Sequence, residues 1–270
     1  MWRNDRSLRR TYRLARDSVS KLRYDEILQA VEGDEPVAIV TIVRGEPLGE
    51  KLAVYDDGRV HGTFGSASLD QLATKAGQRG LADDESGVTT LADGIDAFVD
   101  VIARSPEVIM IGAVHTAIAL GHIAKALGFR VAIVDPRERF ATRERFPHAD
   151  EIIHAWPDEA LAQKQVDSRT YIAILTHDPK FDEPALVAAL GRPARYVGAI
   201  GSRKTSADRI QRLRAQGMSD EQLARIHAPI GIDIGARTPE EIALSIAAEM
   251  IAVRRGRGPK SRPSDGNTPS

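Results

Sequence analysis

From Glu107 onward the chain keeps one rhythm. Short apolar runs alternate with helix-length stretches: EVIMIG, a helix, RVAIV, a short helix, EIIHAW, a helix, YIAILT, a helix, RYVGAI and a further helix. Strands that alternate with helices are joined by crossovers, which makes the sheet parallel and puts helices over its faces. The opening stretch, EVIMIGAVHTAIALGHIAKALGFRVAIVDPR, reads as strand, turn, helix, strand, acid, the start of a dinucleotide-binding unit. Ser105-Pro106 marks where this rhythm begins, and it predicts an α/β domain over 106–255.

The preceding residues follow another pattern. Residues 1–17 read as a basic arm. Residues 18–32 have helical spacing through Val19, Leu22, Ile27, Leu28 and Val31. PVAIVTIV predicts a strand over 36–43, and Asp57-Gly58 joins two strand-like runs as a hairpin turn. A helix is expected over 66–80 with Ser66 as its cap and a glycine stop, then a polar loop, then a strand over 97–103. Together these predict a smaller α+β domain over 18–105. The Pro-, Gly- and Ser-rich residues 256–270 read as a disordered tail.

In an open parallel sheet, ligand contacts come from the carboxyl ends of the strands. Three stretches converge there. The first is the turn after IMI. An intact G-x-G-x-x-G fingerprint would place glycine at 112, 114 and 117, whereas this chain has Gly112, Val114 and Ala117. Gly112 can make the tight turn and Ala117 can pack, but the β-branched Val114 obstructs a pyrophosphate approaching the backbone. His115 opens the helix, and Asp135 ends the second strand where an acid binds a ribose hydroxyl. The second stretch is LTHDPKFDEPAL, with His177 and Asp178 leaving the strand and Asp182 and Pro184 expected to start the next helix. The third is YVGAIGSRKTSADRI, where Gly201, Ser202, Arg203, Lys204 and Thr205 form an anion cradle at a helix start. Basic residues in a first helical turn oppose the helix dipole, an arrangement an anion relieves. Thr238-Pro239-Glu240-Glu241 is a capping box for the last helix.

Composition removes several chemistries. The net charge of −1 gives no basic field for nucleic acid. The 270 residues contain no cysteine, so there is no disulfide, cysteine-ligated metal or thiol nucleophile. No apolar run approaches the roughly 18 residues that span a membrane, and the Arg-rich start lacks the apolar core of a secretory signal. The expectation is a cytoplasmic protein.

The stretches GFRVAIVDPRERFATRERFPHAD, ILTHDPKFDEPAL, RYVGAIGSRKTSADRIQRL and ARIHAPIGIDIGARTPEEIALSIAAEMIAVRRGR, with EVIMIGAVHTAIAL, cover essentially 107–257. They resemble the XdhC/CoxI family, accessory proteins of molybdenum hydroxylases; PLGEKLAVYDDGRVHGTFG resembles it more faintly. The resemblance implies an α/β chain with a Rossmann-like second domain after the smaller α+β domain. It implies binding and protection of the molybdenum cofactor, help with its sulfuration beside a cysteine desulfurase, and insertion into a xanthine or carbon monoxide dehydrogenase type client. A chaperone acting as a homo-oligomer is expected, more than a catalyst. Two departures stand out. The family turn G-A-G-H-V-[GA] is Gly112-Ala113-Val114-His115-Thr116-Ala117 here, and the family's glycine run in the first domain, sometimes followed by cysteine, is Gly65-Ser66-Ala67-Ser68. The residues alone also admit an NAD(P)-dependent oxidoreductase or nucleotide sensor, and a ligand-free scaffold.

Overall fold

A computed structural model describes residue 28 and residues 35–176 and 178–257 of the chain. The basic arm, the rest of the predicted helix over 18–32, His177 and the tail beyond residue 257 lie outside the described residues. The chain divides between Arg104 and Ser105 into two compact units.

The first unit is an antiparallel sheet with one described helix. Its strands are β1 (Val37–Arg44), β2 (Lys51–Tyr55), β3 (Val60–Gly62), β4 (Gly87–Ala92) and β5 (Ile95–Ile102), in the order β3-β2-β1-β5-β4. Gly58, at φ 88°, closes the predicted β2–β3 hairpin by donating to Tyr55 O. The stretch expected as a polar loop contains β4, an edge strand on β5. Its Thr89 and Thr90 suit a strand, but its exposed Val88 and polar surroundings hide it from an apolar-run reading.

Helix α1 (Ala67–Asp83) runs past the expected glycine stop. Gly77 and Gly80 lie against the sheet instead: an added Cβ would come 2.7 Å from Val54 Cγ2 at Gly77 and 2.8 Å from Val99 Cγ1 at Gly80. They are packing glycines, and Asp84 in the left-handed region ends the helix. Ser66 occupies the cap position without a side-chain cap bond, its hydroxyl lying 3.0 Å from that of Ser68. Asp70 fastens this turn by accepting from Phe64 N and Thr63 Oγ1.

The second unit is the α/β domain. Its parallel strands are β6 (Glu107–Ile111), β7 (Arg130–Val134), β8 (Glu151–Ile153), β9 (Thr170–Ile174), β10 (Tyr196–Ala199) and β11 (Ile226–His227). Their spatial order is β11-β10-β9-β6-β7-β8, which numbered within the unit is the 3-2-1-4-5-6 order of nucleotide-binding sheets read from its other edge. Every residue of the central β6 and β9 is buried, as expected for strands covered on both faces.

One face carries α2 (His115–Ala126) and α7 (Pro239–Arg254), enclosing Leu120, Phe129, Ile246 and Met250. The other carries α3 (Pro157–Gln163), α4 (Pro179–Leu190), α5 (Arg203–Ala215) and the short α6 (Asp220–Ala224), enclosing Leu161, Ile174, Leu186 and Leu213. The expected short helix between β7 and β8 is instead a run of turns and irregular backbone. The capping box of α7 forms as expected: Thr238 Oγ1 accepts from Glu241 N, while Glu241 Oε2 accepts from Thr238 N. Toward the other end of α7, buried Glu249 accepts from Tyr196 Oη at 2.6 Å and Gly231 N at 2.7 Å, and lies 3.2 Å from His227 Nδ1. Burial pulls the Glu249 carboxyl up, but these partners outweigh it and hold it below its ordinary value. This network ties the glycine-spaced loop after β11 to α7.

The β7–β8 connection is anchored on α2 through His148. Its Nε2 lies so close to Gly121 that a Cβ there would collide with it, and its ring stands 4.1 Å from that of His122. Both ring nitrogens of His148 are buried without a hydrogen-bond partner among the described residues. Burial pushes its pKa down, and His122 and Lys125 add to the effect. The folded form therefore resists a proton that the unfolded chain accepts near pH 6.5, so this contribution to stability is present above that pH and is lost on acidification. Thermal melts taken from about pH 7.5 to about pH 5.5 should show a falling midpoint. In His148→Gln, which does not titrate in that range, the slope should flatten while the midpoint near neutrality drops.

Candidate functional site

The loops at the carboxyl ends of β7, β6, β9 and β10 form the candidate site, with the switch of sheet direction between β6 and β9 at its centre. Gly112 leaves β6 at φ 105°, and an added Cβ would meet Thr176 N and Cγ2 at 3.2 Å. Both the backbone angle and the approach to the β9 loop favour glycine there. Val114 occupies the N-cap position of α2, and its partly buried side chain packs on the core. With Val114 at the N-cap, the turn has no side-chain cap. Ala117 is fully buried, and one turn later Gly121 is closely approached by the His148 ring. His115 opens α2 with an exposed side chain.

Asp135 does other work than the expected ribose contact. Its Oδ1 accepts from Arg137 N at 3.0 Å and Arg137 Nε at 2.8 Å. Its Oδ2 accepts from Ala113 N at 2.9 Å and Arg137 Nη2 at 2.8 Å. A carboxylate offers about four lone-pair positions, so these donors saturate it, and its side chain is 1% exposed. Burial alone would raise the Asp135 pKa, but Arg137 and the Ala113 amide outweigh it and hold the carboxyl below its ordinary range. Asp135 is therefore a staple between the β6 and β7 turns, with no edge left for a ribose hydroxyl.

Arg137, which the sequence pattern did not single out, is the group Asp135 presents. Its guanidinium carbon lies 4.7 Å from the Phe140 ring centre and 5.5 Å from that of Phe181, and Phe181 stacks on Trp156 at 4.8 Å and 15°. The side chain remains 43% exposed. The acid two residues before an arginine in Asp135-Pro136-Arg137 was the available signal. The aromatic partners come from separate loops, and no local pattern announces them.

Asp178 is exposed and caps α4, accepting from Lys180 N, so that helix starts at Pro179. The expected helix start at Asp182 and Pro184 is corrected accordingly. Asp182 is buried inside α4, where Arg209 Nη2 reaches its Oδ2 at 2.9 Å and also reaches Ile200 O at 3.1 Å. That pair fixes α5 against the end of β10. At the expected cradle, Gly201 has φ 153°, Ser202 Oγ accepts from Thr205 N at 3.1 Å, and the Ser202 and Thr205 hydroxyls are 2.9 Å apart. Ser202 and Thr205 thus cap the helix. Arg203 and Lys204 are exposed, with Arg203 3.9 Å from Asp233 of the loop after β11. The structure therefore sets Gly112, Asp178 and Gly201–Thr205 on strand ends along one edge of the sheet. Among the described residues no group of three or more His, Asp or Glu is placed to hold a metal, and no helix is long and apolar enough to cross a membrane. The first unit has a concavity of its own, about 410 Å³, where Phe64, Ser66, Ser68, Leu69 and Leu72 meet Glu46.

Sheet order and crossovers define a Rossmann-like α/β protein with a modified first turn. Residues 108–250 match the XdhC Rossmann domain, and residues 30–92 match the XdhC and CoxI family. The chain belongs to the XdhC and CoxI family. It is 28% identical over 249 residues, 86% of its length, to the Escherichia coli (strain K12) uncharacterized protein YqeB, of which it covers 46%. It is 31% identical over 158 residues, 58% of its length, to a protein of Bacillus subtilis (strain 168) described as a probable xanthine dehydrogenase subunit, again covering 46%. Over 95 residues, 35% of its length, it is 40% identical to the molybdenum cofactor insertion chaperone PaoD of Escherichia coli (strain K12), covering 30%. The chain thus spans less than half the length of these curated relatives. A crystal structure described as a xanthine dehydrogenase from Bacillus halodurans shares the fold: TM-score 0.52, 20% identity, 88% of this chain and 97% of that one.

Asp135→Asn tests the staple. The amide NH2 would confront N–H donors that now meet oxygen, which should cost about 1–3 kcal/mol. Urea unfolding at neutral pH measures it, and a loss below about 0.5 kcal/mol would show the staple to be dispensable.

Proposed function

We propose that this chain is an accessory protein that binds and shields the molybdenum cofactor and assists its sulfuration and insertion into a molybdenum hydroxylase of the xanthine or carbon monoxide dehydrogenase type. The observation that carries this reading is family membership through both units, including the relative named as a molybdenum cofactor insertion chaperone. The strand-end residues fit the organic part of such a cofactor. Gly201 and the start of α5, with Arg203 and Lys204, suit its phosphate end. With no cysteine in the chain, no protein thiolate here can hold the metal or pass on sulfur, so the sulfur donor is another protein, a cysteine desulfurase. Bound cofactor supplies the molybdenum chemistry of the client; this chain's residues hold, orient and shield. His115, Asp178 and His177 complete the proposed contacts, and the protein works in the cytoplasm as a homo-oligomer.

Mixing the purified protein with cofactor released from a molybdoenzyme, followed by gel filtration, tests the reading. Retention no greater than that of an unrelated protein of equal size would overturn it. The sheet order favours a second reading, an NAD(P) enzyme or sensor, against which stands the saturated Asp135. Calorimetric affinity for NAD, NADH, NADP or NADPH tighter than about 100 μM, roughly −5.5 kcal/mol, would favour that alternative.

Arg203 and Lys204 give the sharper test. Charge-assisted contacts to a phosphate are worth about 1.5–3 kcal/mol each. Arg203→Ala combined with Lys204→Ala should weaken cofactor retention at least about tenfold. Stability should hardly change, because exposed charges in a first helical turn add little. Thr238→Ala is the converse control, costing about 1 kcal/mol of stability with retention kept. A double variant with full retention would reduce the cradle to a helix start.

A further inference from the structure

The proposed phosphate cradle lies beyond β9, at the end of β10. On the other flank, at the ends of β7, β8 and β9, stand Phe140, Arg137, Phe181 and Trp156, four flat groups in successive contact. Three features separate this stack from ordinary core packing. Trp156 has one face on Phe181 and is 45% exposed, although it is the largest side chain type. Trp156 sits at the N-cap of α3, where a small polar residue caps better, so the position is not explained by helix formation. Arg137 is fixed by two bonds to a buried carboxylate while 43% of its side chain faces solvent. An open indole held on Phe181, itself backed by the fixed guanidinium, suits a flat ring.

We propose that the open Trp156 face, backed by Phe181 and by Arg137 beyond it, seats a flat nitrogen heterocycle whose anionic tail runs across the sheet edge toward Gly201–Thr205. The seat recognises a nucleobase or a pterin, which share a π-face and hydrogen-bonding edges. Asp135 takes no part in contacting it; as the partner that orients Arg137, it is a positioning residue. Trp156 stacks on Phe181, in the first turn of the helix that follows β9, the strand next to β10. An elongated ligand with its ring at one end and its phosphate at the other suits that arrangement. This assignment rests on reading the strand-end crevice as the cofactor site, but its test needs no cofactor.

Calorimetric titration of the full chain with AMP, CMP, GMP, UMP and a pterin monophosphate separates the two ring sources. At least one should bind with a dissociation constant below about 1 mM. Trp156→Ala should weaken that ligand at least about fivefold, in line with base–aromatic stacking, while Trp156→Phe largely restores it. Both variants should melt close to the parent, because Trp156 is half-exposed. Failure of every ring compound to bind, or a Trp156→Ala protein with undiminished affinity, overturns the seat. If cofactor is nonetheless retained on gel filtration, the chaperone reading survives and the ring lies elsewhere. Ring binding without cofactor retention upholds the seat and removes the chaperone reading.

Discussion

The second unit is organised around one carboxylate. Asp135 ends β7, yet it accepts from the Ala113 amide in the turn after β6 and from three N–H groups of Arg137. Two adjacent strand ends thereby become one rigid edge. Burying a charge is costly unless it is paired and hydrogen-bonded, and Asp135 meets both conditions completely. The same bonds hold the guanidinium toward Phe140 and Phe181, and Phe181 carries Trp156. Gly112 completes the edge from the opposite side by letting the β6 turn approach Thr176. The charge, the stack and the close turn are mutually dependent.

The fold was largely legible because parallel-sheet strands carry their burial in the sequence. EVIMI and TYIAI are apolar on both faces, and the residues between them have helical length. The cap of α7 was legible for a local reason: Thr238 and Glu241 lie three residues apart and satisfy each other. Elements decided by distant partners carry no local signal. β4 exists by pairing with β5. The glycines of α1 answer to Val54 and Val99 rather than to a helix end. The start of α4 is masked in the sequence because Asp182 resembles a cap but is committed to Arg209, 27 residues away.

The candidate site divides in the same way. Its backbone features, Gly112, Gly201 and the helix starts, were visible as glycine, small polar and basic residues after apolar runs. Its electrostatics were not. Asp135 sits where an acid meets a ribose, and sequence position alone cannot distinguish an open carboxylate from one saturated by its neighbours. The distinction rests on Arg137 folding back over two residues and on an amide contributed from 22 residues earlier. The aromatic partners of Arg137 lie on the β7–β8 connection, the start of α3 and the first turn of α4, so they meet only once the crossovers are made.

The cations at the two flanks differ in how they are held, and the difference bears on what each can do. Arg137 is restrained by a buried carboxylate, so little side-chain entropy remains to be lost when an anion arrives. Arg203 and Lys204 project from the first turn of α5, where the helix dipole disfavours positive charge. Asp233 stands 3.9 Å from Arg203, but both side chains are about 60% exposed, and such pairs contribute little in water. An arriving phosphate would relieve the unfavourable charge at α5, whereas at Arg137 it would meet a cation already neutralised by Asp135. A phosphate would therefore gain more at the β10 end. An elongated ligand held as proposed would thus carry its phosphate at α5 and its ring at Trp156.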